Sequence, residues 1–199
     1  LAQSHVSSGP AMADVLDKLI SLEIVQKRAP INDPTNKRKS GYYVVDPLSL
    51  FYYRYVFRNT SARQLLDPEV FFDRHVSRDF EENYVPHMFE EICRQYLVRQ
   101  NRTGKIEPAF DAIGKYWYDD PANKTSGEFD VVTQDPEGYA FYEAKFRKSP
   151  ITQMMVDKEI AQVEATGLKC HRYGFFSRSG FEASSDNKTI LVDLPQMFD

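Results

Sequence analysis

The stretch from Glu128 to Phe146 constrains this chain more than any other. Glu128-Phe129-Asp130-Val131-Val132 and Phe141-Tyr142-Glu143-Ala144-Lys145-Phe146 are largely apolar runs of strand length around Asp135-Pro136-Glu137-Gly138. Pro at the second position and Gly at the fourth is the signature of a type I turn, so the spacing predicts an antiparallel hairpin. With Pro136 and Glu137 as a two-residue loop, Asp130 falls opposite Glu143, the side chains about 5 Å apart on one face. The two-residue period of a strand puts Lys145 on that face as well. A Gly bulge at the turn would instead slip the register by one and part the two acids.

Two carboxylates and an ammonium on adjacent strands are what metal-dependent phosphodiester chemistry needs. The carboxylates hold Mg²⁺ or Mn²⁺, and the lysine stabilises charge building on the phosphate. The bland reading is an amphipathic hairpin with an acidic polar face. The Glu-x-Lys triplet is weak alone: 29 acids and 12 lysines among 199 residues give roughly 1.7 acid-x-Lys triplets by chance. Two occur. Asp186-Asn187-Lys188 follows the polar residues Ser184 and Ser185 and reads as a solvated loop, whereas Glu143-Ala144-Lys145 sits at the end of an apolar strand.

The chain divides near residue 58. Met12, Val15, Leu16, Leu19 and Ile20 recur at helical spacing after Gly9-Pro10, predicting a helix that ends near Leu22. Ile24–Arg28 and Gly41–Val45 read as two strands around a tip carrying Lys37, Arg38 and Lys39. A helix followed by a basic-tipped hairpin is the back half of a winged helix, whose tip would touch DNA phosphates. Residues 1–60 hold eight Lys and Arg against five Asp and Glu, while the remainder holds 17 against 24. A basic small domain joined to an acidic larger one suits nucleic-acid contact at the first.

Asp46-Pro47 and Asp67-Pro68 read as helix starts, with Asp at the cap and Pro in the first turn. The first of these helices carries Leu48, Phe51, Tyr52, Tyr55 and Val56, an aromatic stripe expected in the core rather than under bases. Pro86 opens a third helix. On its wheel Phe89, Ile92, Cys93, Tyr96 and Leu97 form the apolar arc, Glu91 faces solvent, and Glu90 lies at the rim. Ser149-Pro150 should start another helix, running to Thr166 and stopped by Gly167. Short strands around Tyr116-Trp117-Tyr118, then Arg172–Ser177 and Thr189–Val192, complete an α/β sandwich on a mixed sheet.

No apolar run reaches the ~20 residues of a membrane span, and no signal peptide is visible. Cys93 and Cys170 are isolated, which argues against zinc and, without a secretory signal, for a reducing cytoplasm. The chain begins with Leu1 rather than Met, as a piece of a longer protein would.

Glu90 on a helix, then Asp130, then Glu143-Ala144-Lys145 resembles the PD-(D/E)XK restriction-endonuclease-like superfamily. Tyr43-Val44-Val45-Asp46-Pro47-Leu48, Phe89-Glu90-Glu91-Ile92-Cys93 and Phe176-Ser177-Arg178-Ser179-Gly180-Phe181, with the two strand motifs, are similar to the C-terminal region of archaeal and bacterial AAA+ ATPases. The resemblance implies a partial winged helix-turn-helix domain over residues 1–58. It implies a helical connector and nuclease-like mixed-sheet α/β domain over 59–199. It also implies that Asp130, Glu143 and the Ala144 carbonyl ligate Mg²⁺, that Glu90 completes the acidic cluster, and that Lys145 positions water or phosphate. DNA and a preceding ATPase module would be the partners. There is no Gly-x-x-x-x-Gly-Lys-Ser/Thr here, so no P-loop ATP site is expected in this stretch. The competing expectation is a non-cleaving DNA-binding or regulatory module of the same ATPase, which the acidity of residues 61–199 favours.

Overall fold

The computed structural model describes residues 9–120 and 125–198. They form two compact units. The first holds the described residues up to Arg28 together with Lys37–Phe80, and the second holds Ala29–Asn36 with the described residues from Glu81 onward. Residue 58 therefore lies inside the first unit.

In the first unit, helix α1 (Gly9–Ser21) leads into antiparallel strands β1 (Val25–Arg28) and β2 (Gly41–Val44). Asp46 then caps helix α2 (Pro47–Phe51), its Oδ2 accepting from the Ser49 amide at 2.6 Å. The helix continues through a π-helical turn, Tyr52–Val56, and a 3₁₀ turn, Phe57–Asn59. Helix α3 (Thr60–Leu65) follows, then α4 (Pro68–His75), whose cap Asp67 accepts from the Glu69 amide, and the short α5 (Ser77–Asp79). Both Asp-Pro starts thus behave as their chemistry dictates. The aromatic stripe does not. Of its members Tyr55 is buried and Phe51 and Val56 are half-buried, but Leu48 is 76% and Tyr52 43% exposed. A wider turn advances the chain out of the 3.6-residue phase on which a helical wheel relies.

The loop between β1 and β2 differs from a free tip. Its first half belongs to the second unit, where the Ile31 amide donates to the Lys115 carbonyl at 2.8 Å and Asn32 bonds both the amide and the carbonyl of Trp117. Lys37, Arg38 and Lys39 are exposed.

The second unit is α/β. Helix α6 (Val85–Arg102) precedes a meander of β3 (Ala112–Asp120), β4 (Thr125–Asp135) and β5 (Gly138–Lys145). Then come β6 (Ile151–Thr152), α7 (Gln153–Glu164), β7 (Cys170–Ser177), β8 (Phe181–Glu182) and β9 (Thr189–Asp193). The five-stranded mixed sheet has the order β3-β4-β5-β7-β9, antiparallel as far as β5 and parallel from there. Ser149-Pro150 does not start α7. Ile151–Thr152 first pairs in parallel with Phe181–Glu182, and Thr152 precedes the helix.

Two apolar layers flank the sheet. Phe89, Cys93 and Leu97 of α6 pack on Val131, Ala140, Tyr142 and Phe176, while Val156 and Val163 of α7 pack on Val132, Phe141, Tyr173 and Phe175. Each large apolar side chain among them contributes about 1.5–3 kcal/mol by leaving water. The α6 stripe continues to Gln100 instead of widening to Ile92, which is 40% exposed. Glu91, expected in solvent, is half-buried against Arg94. Among the described residues no helix is long and apolar enough to cross a membrane.

Candidate functional site

The hairpin's register follows from its turn. The Asp135 Oδ1 accepts from the amides of Glu137 and Gly138 at 2.8 and 3.2 Å, and Oδ2 lies 2.7 Å from His171 Nε2 on β7. This carboxylate satisfies backbone donors the turn would otherwise leave bare. Gly138 has φ +140°, a conformation that side chains resist, so the chain reverses over Pro136 and Glu137 alone. Asp135 pairs with Gly138, and the ladder runs to Val131 opposite Tyr142 without a slip.

Beyond that pair β4 leaves β5. Strand β5 stays paired with β7 as far as Lys145, and β4 stays paired with β3 down to Thr125. Asp130 and Glu143 therefore stand at a fork between strands, where side chains gain access to solvent. A second irregularity lies there. Gly114 pairs with Val132 but Tyr116 with Phe129, so three steps on β4 oppose two on β3. The extra residue is a bulge, which re-aims side chains locally. It explains why Phe129 and Val132, three apart, share the α7-side layer.

Two charged clusters result. Lys145 Nζ lies 2.5 Å from Glu143 Oε1 and 3.0 Å from Glu159 Oε1 on α7. Lys115 Nζ, on β3 across from the bulge, lies 2.6 Å from Glu128 Oε1 and 2.9 Å from Asp130 Oδ1. The first cluster is about three-tenths exposed, the second nearer four-tenths. Burial pushes the Glu143 carboxyl up, Lys145 opposes that, and the negative charges of Glu159 and Asp130 reinforce it. Burial alone would pull the Lys145 ammonium down, but its bonds to Glu143 and Glu159 outweigh this and leave it raised. Lys115 is raised in the same way: the carboxylates of Glu128 and Asp130 overcome the cost of burial.

The structure brings Glu143 and Lys145 together, with Asp130 close enough for its charge to act on Glu143. Glu90 pairs instead with His87, at 3.6 Å on its own helix, and its charge adds to the burial that raises the Cys93 thiol. Ala144 continues the ladder with β7 opposite Phe176. Among the described residues no three His, Cys, Asp or Glu side chains converge as a metal-holding group. The other acid-x-Lys triplet is structural, because Asp186 Oδ1 accepts from the Lys188 and Thr189 amides at 2.7 Å each.

Two participants, Glu159 and Lys115, are not singled out by the sequence reading. Glu159 has a readable signal: it lies three residues after Val156 and four before Val163, an acid within the helical stripe that faces the sheet. Lys115 has none, since its position depends on the bulge. Beside Glu143 and Glu159 a hollow of about 20 Å³, walled by Phe129, Phe141 and Tyr173, has room for a single water.

Residues 52–163, more than half of the chain, match the DUF234 family model, described as archaeal and bacterial proteins of unknown function. The chain belongs to this family. It is also similar to the uncharacterised protein MJECL04 of Methanocaldococcus jannaschii, 29% identical over 103 residues, which are 52% of this chain and 23% of that protein. The matched stretch thus spans about a quarter of that relative's length. A crystal structure of AF1548, a protein of unknown function, aligns over 51% of this chain and 58% of its own, at 17% identity and a TM-score of 0.30.

Proposed function

We propose that this DUF234 chain is a Mg²⁺-dependent, nuclease-like DNA-processing module of a larger AAA+ ATPase, with Asp130, Glu143 and Lys145 as its working residues. The observation that carries this reading is charge. Glu128, Asp130, Glu143 and Glu159 meet Lys115 and Lys145 across the fork, an excess of two negative charges in these ion pairs. A divalent cation would neutralise that excess. Mg²⁺ commonly takes one or two protein carboxylates and fills its octahedron with water and phosphate oxygens, so Asp130, Glu143 and the Ala144 carbonyl suit it without a third converging acid. The order α6-β3-β4-β5-α7-β7 supports a restriction-endonuclease-like core, and α1 with β1 and β2 supports a partial winged helix before it.

When bound, the metal supplies Lewis-acid charge and an acidified water. The chain's own residues do the rest. Glu143 and Asp130 orient the site from the two arms of the fork. Lys145 would donate to the phosphate oxygen on which charge builds, and Glu159, its second carboxylate partner, would keep the ammonium aimed while Glu143 serves as a metal ligand.

A second reading, a non-cleaving regulatory or DNA-binding module, is favoured by the absence of a three-acid group among the described residues and by the acidity of the second unit. Incubation with supercoiled DNA and Mg²⁺ or Mn²⁺ separates the two. The nuclease reading predicts cutting by the wild type and none by Glu143→Gln. Equal products from both, or none from either, leaves the second reading.

Recruitment is tested separately. Lys37, Arg38 and Lys39 can each neutralise one phosphate, so replacing all three with Ala should weaken duplex binding and reduce the salt slope by about three counterions. Fluorescence anisotropy over a salt series reads this directly, and an unchanged slope would make the loop a packing element.

A further inference from the structure

A hollow lined by residues of the first unit shares no residue with the acid–lysine fork, and the proposed nuclease chemistry makes no use of it. It encloses about 560 Å³, within the range of small-molecule sites. Its walls include Leu50 and Ser49 of α2, Tyr53, Arg54 and Arg58 of the irregular helix that follows, and His75 at the end of α4. Three observations point to a ligand. The first is charge and pre-organisation. Arg54 is clamped through Nε and Nη2 to Asp79 at 2.6 and 2.9 Å, and the Tyr55 hydroxyl donates to the same carboxylate at 2.7 Å. Two of the five guanidinium donors are thereby used and the plane is held, leaving three to serve a bound group. Among the described residues Arg58 and His75 have no ion-pair partner, so two arginines face one carboxylate and the hollow is cationic.

The second is the backbone. The helix passes from α to π to 3₁₀ within Pro47–Asn59, and π turns of this kind concentrate at functional sites. The third is the rings. Tyr53 is 58% exposed beside the mouth and packs edge-on against Tyr52 and Phe57, with centroids 5.2 and 5.4 Å away. Solvent-facing aromatic rings next to arginines are the pairing that binds a base and its phosphate together.

We propose that this hollow binds a nucleoside phosphate, the phosphate on Arg58, His75 and the remaining Arg54 donors and the base stacked on Tyr53. The same chemistry is offered by a free nucleotide and by the phosphorylated end of a single strand. Isothermal titration of the chain with ADP, inorganic phosphate and a 5′-phosphorylated oligothymidylate distinguishes them. ADP binding with a much weaker oligonucleotide marks a free nucleotide, and the reverse marks a strand end. In either case Arg58→Ala and Tyr53→Ala, both at exposed positions, should weaken the binding at least about tenfold. Glu143→Gln should bind as the wild type does, which keeps this result independent of the nuclease reading. Circular dichroism melts confirm that the variants fold. Saturation by neither ADP nor the oligonucleotide at millimolar concentration overturns the proposal. So do unchanged affinity in Arg58→Ala and equal affinity for ADP and phosphate.

Discussion

Lys145→Met is expected to reduce metal-dependent cleavage by about 10²–10³-fold, the range seen when one donor to a developing oxyanion is removed. It should also lower folding stability at neutral pH by roughly 1–3 kcal/mol, because two carboxylates are then left without their shared counter-charge. The side chains of Lys145, Glu143 and Glu159 are 28%, 31% and 25% exposed, so solvent screens part of the loss and the lower half of that range is favoured. The pH dependence has a definite sign. Glu143 is raised above its ordinary value of 4.5 by burial. A raised carboxyl contributes stability that is complete below the unfolded value and is lost as pH rises through the folded one. Lys145 opposes that rise, so without it the folded value moves higher and more stability is lost on the alkaline side. Urea melts of variant and wild type should converge near pH 4 and diverge toward pH 8. A gap of equal size at both pH values would mean that Lys145 acts through packing alone.

Gly138→Ala should be the most damaging single methyl group at the turn. A Cβ there would sit 2.6 Å from the Lys169 carbonyl oxygen, and the residue holds φ +140°. That carbonyl cannot retreat easily, since it accepts the Tyr139 amide at 3.0 Å. Strain and overlap together should cost about 2–4 kcal/mol, read as a lowered Tm in calorimetry. Because the turn sets the β4–β5 register, metal affinity should fall with stability. A Gly138→Ala variant as stable as the wild type would show that the turn can change type without moving the strands.

Much of the hairpin is legible in the sequence because local chemistry determines it. Asp135, Pro136 and Gly138 specify a two-residue loop, and the ladder from Asp135–Gly138 to Val131–Tyr142 follows from counting. The caps at Asp46 and Asp67 are legible for the same reason: each carboxylate bonds an amide only two or three residues away. What depends on distant partners is not. The bulge that sets Lys115 against Asp130 arises between β3 and β4, and neither strand's pattern announces it. A wheel of 3.6 residues places Tyr52 in the core, and the π turn at Tyr52–Val56 invalidates that wheel. Ser149-Pro150 mimics a cap and so advances the apparent start of α7, while Ile151–Thr152 is held by a parallel pairing with Phe181–Glu182. Order along the chain groups Glu90 with the site, and the helix instead gives it His87.

Mn²⁺ binding shows most directly whether the excess negative charge at the fork exists to hold a cation. Electron paramagnetic resonance of Mn²⁺ titrated into the wild type, Glu143→Gln and Asp130→Asn counts bound metal without any need for substrate. Saturable binding of one ion by the wild type is expected, weakened about tenfold or more by either substitution, each of which keeps the shape and removes one ligand charge. No saturable site in the wild type, or an unchanged affinity in Glu143→Gln, would contradict it.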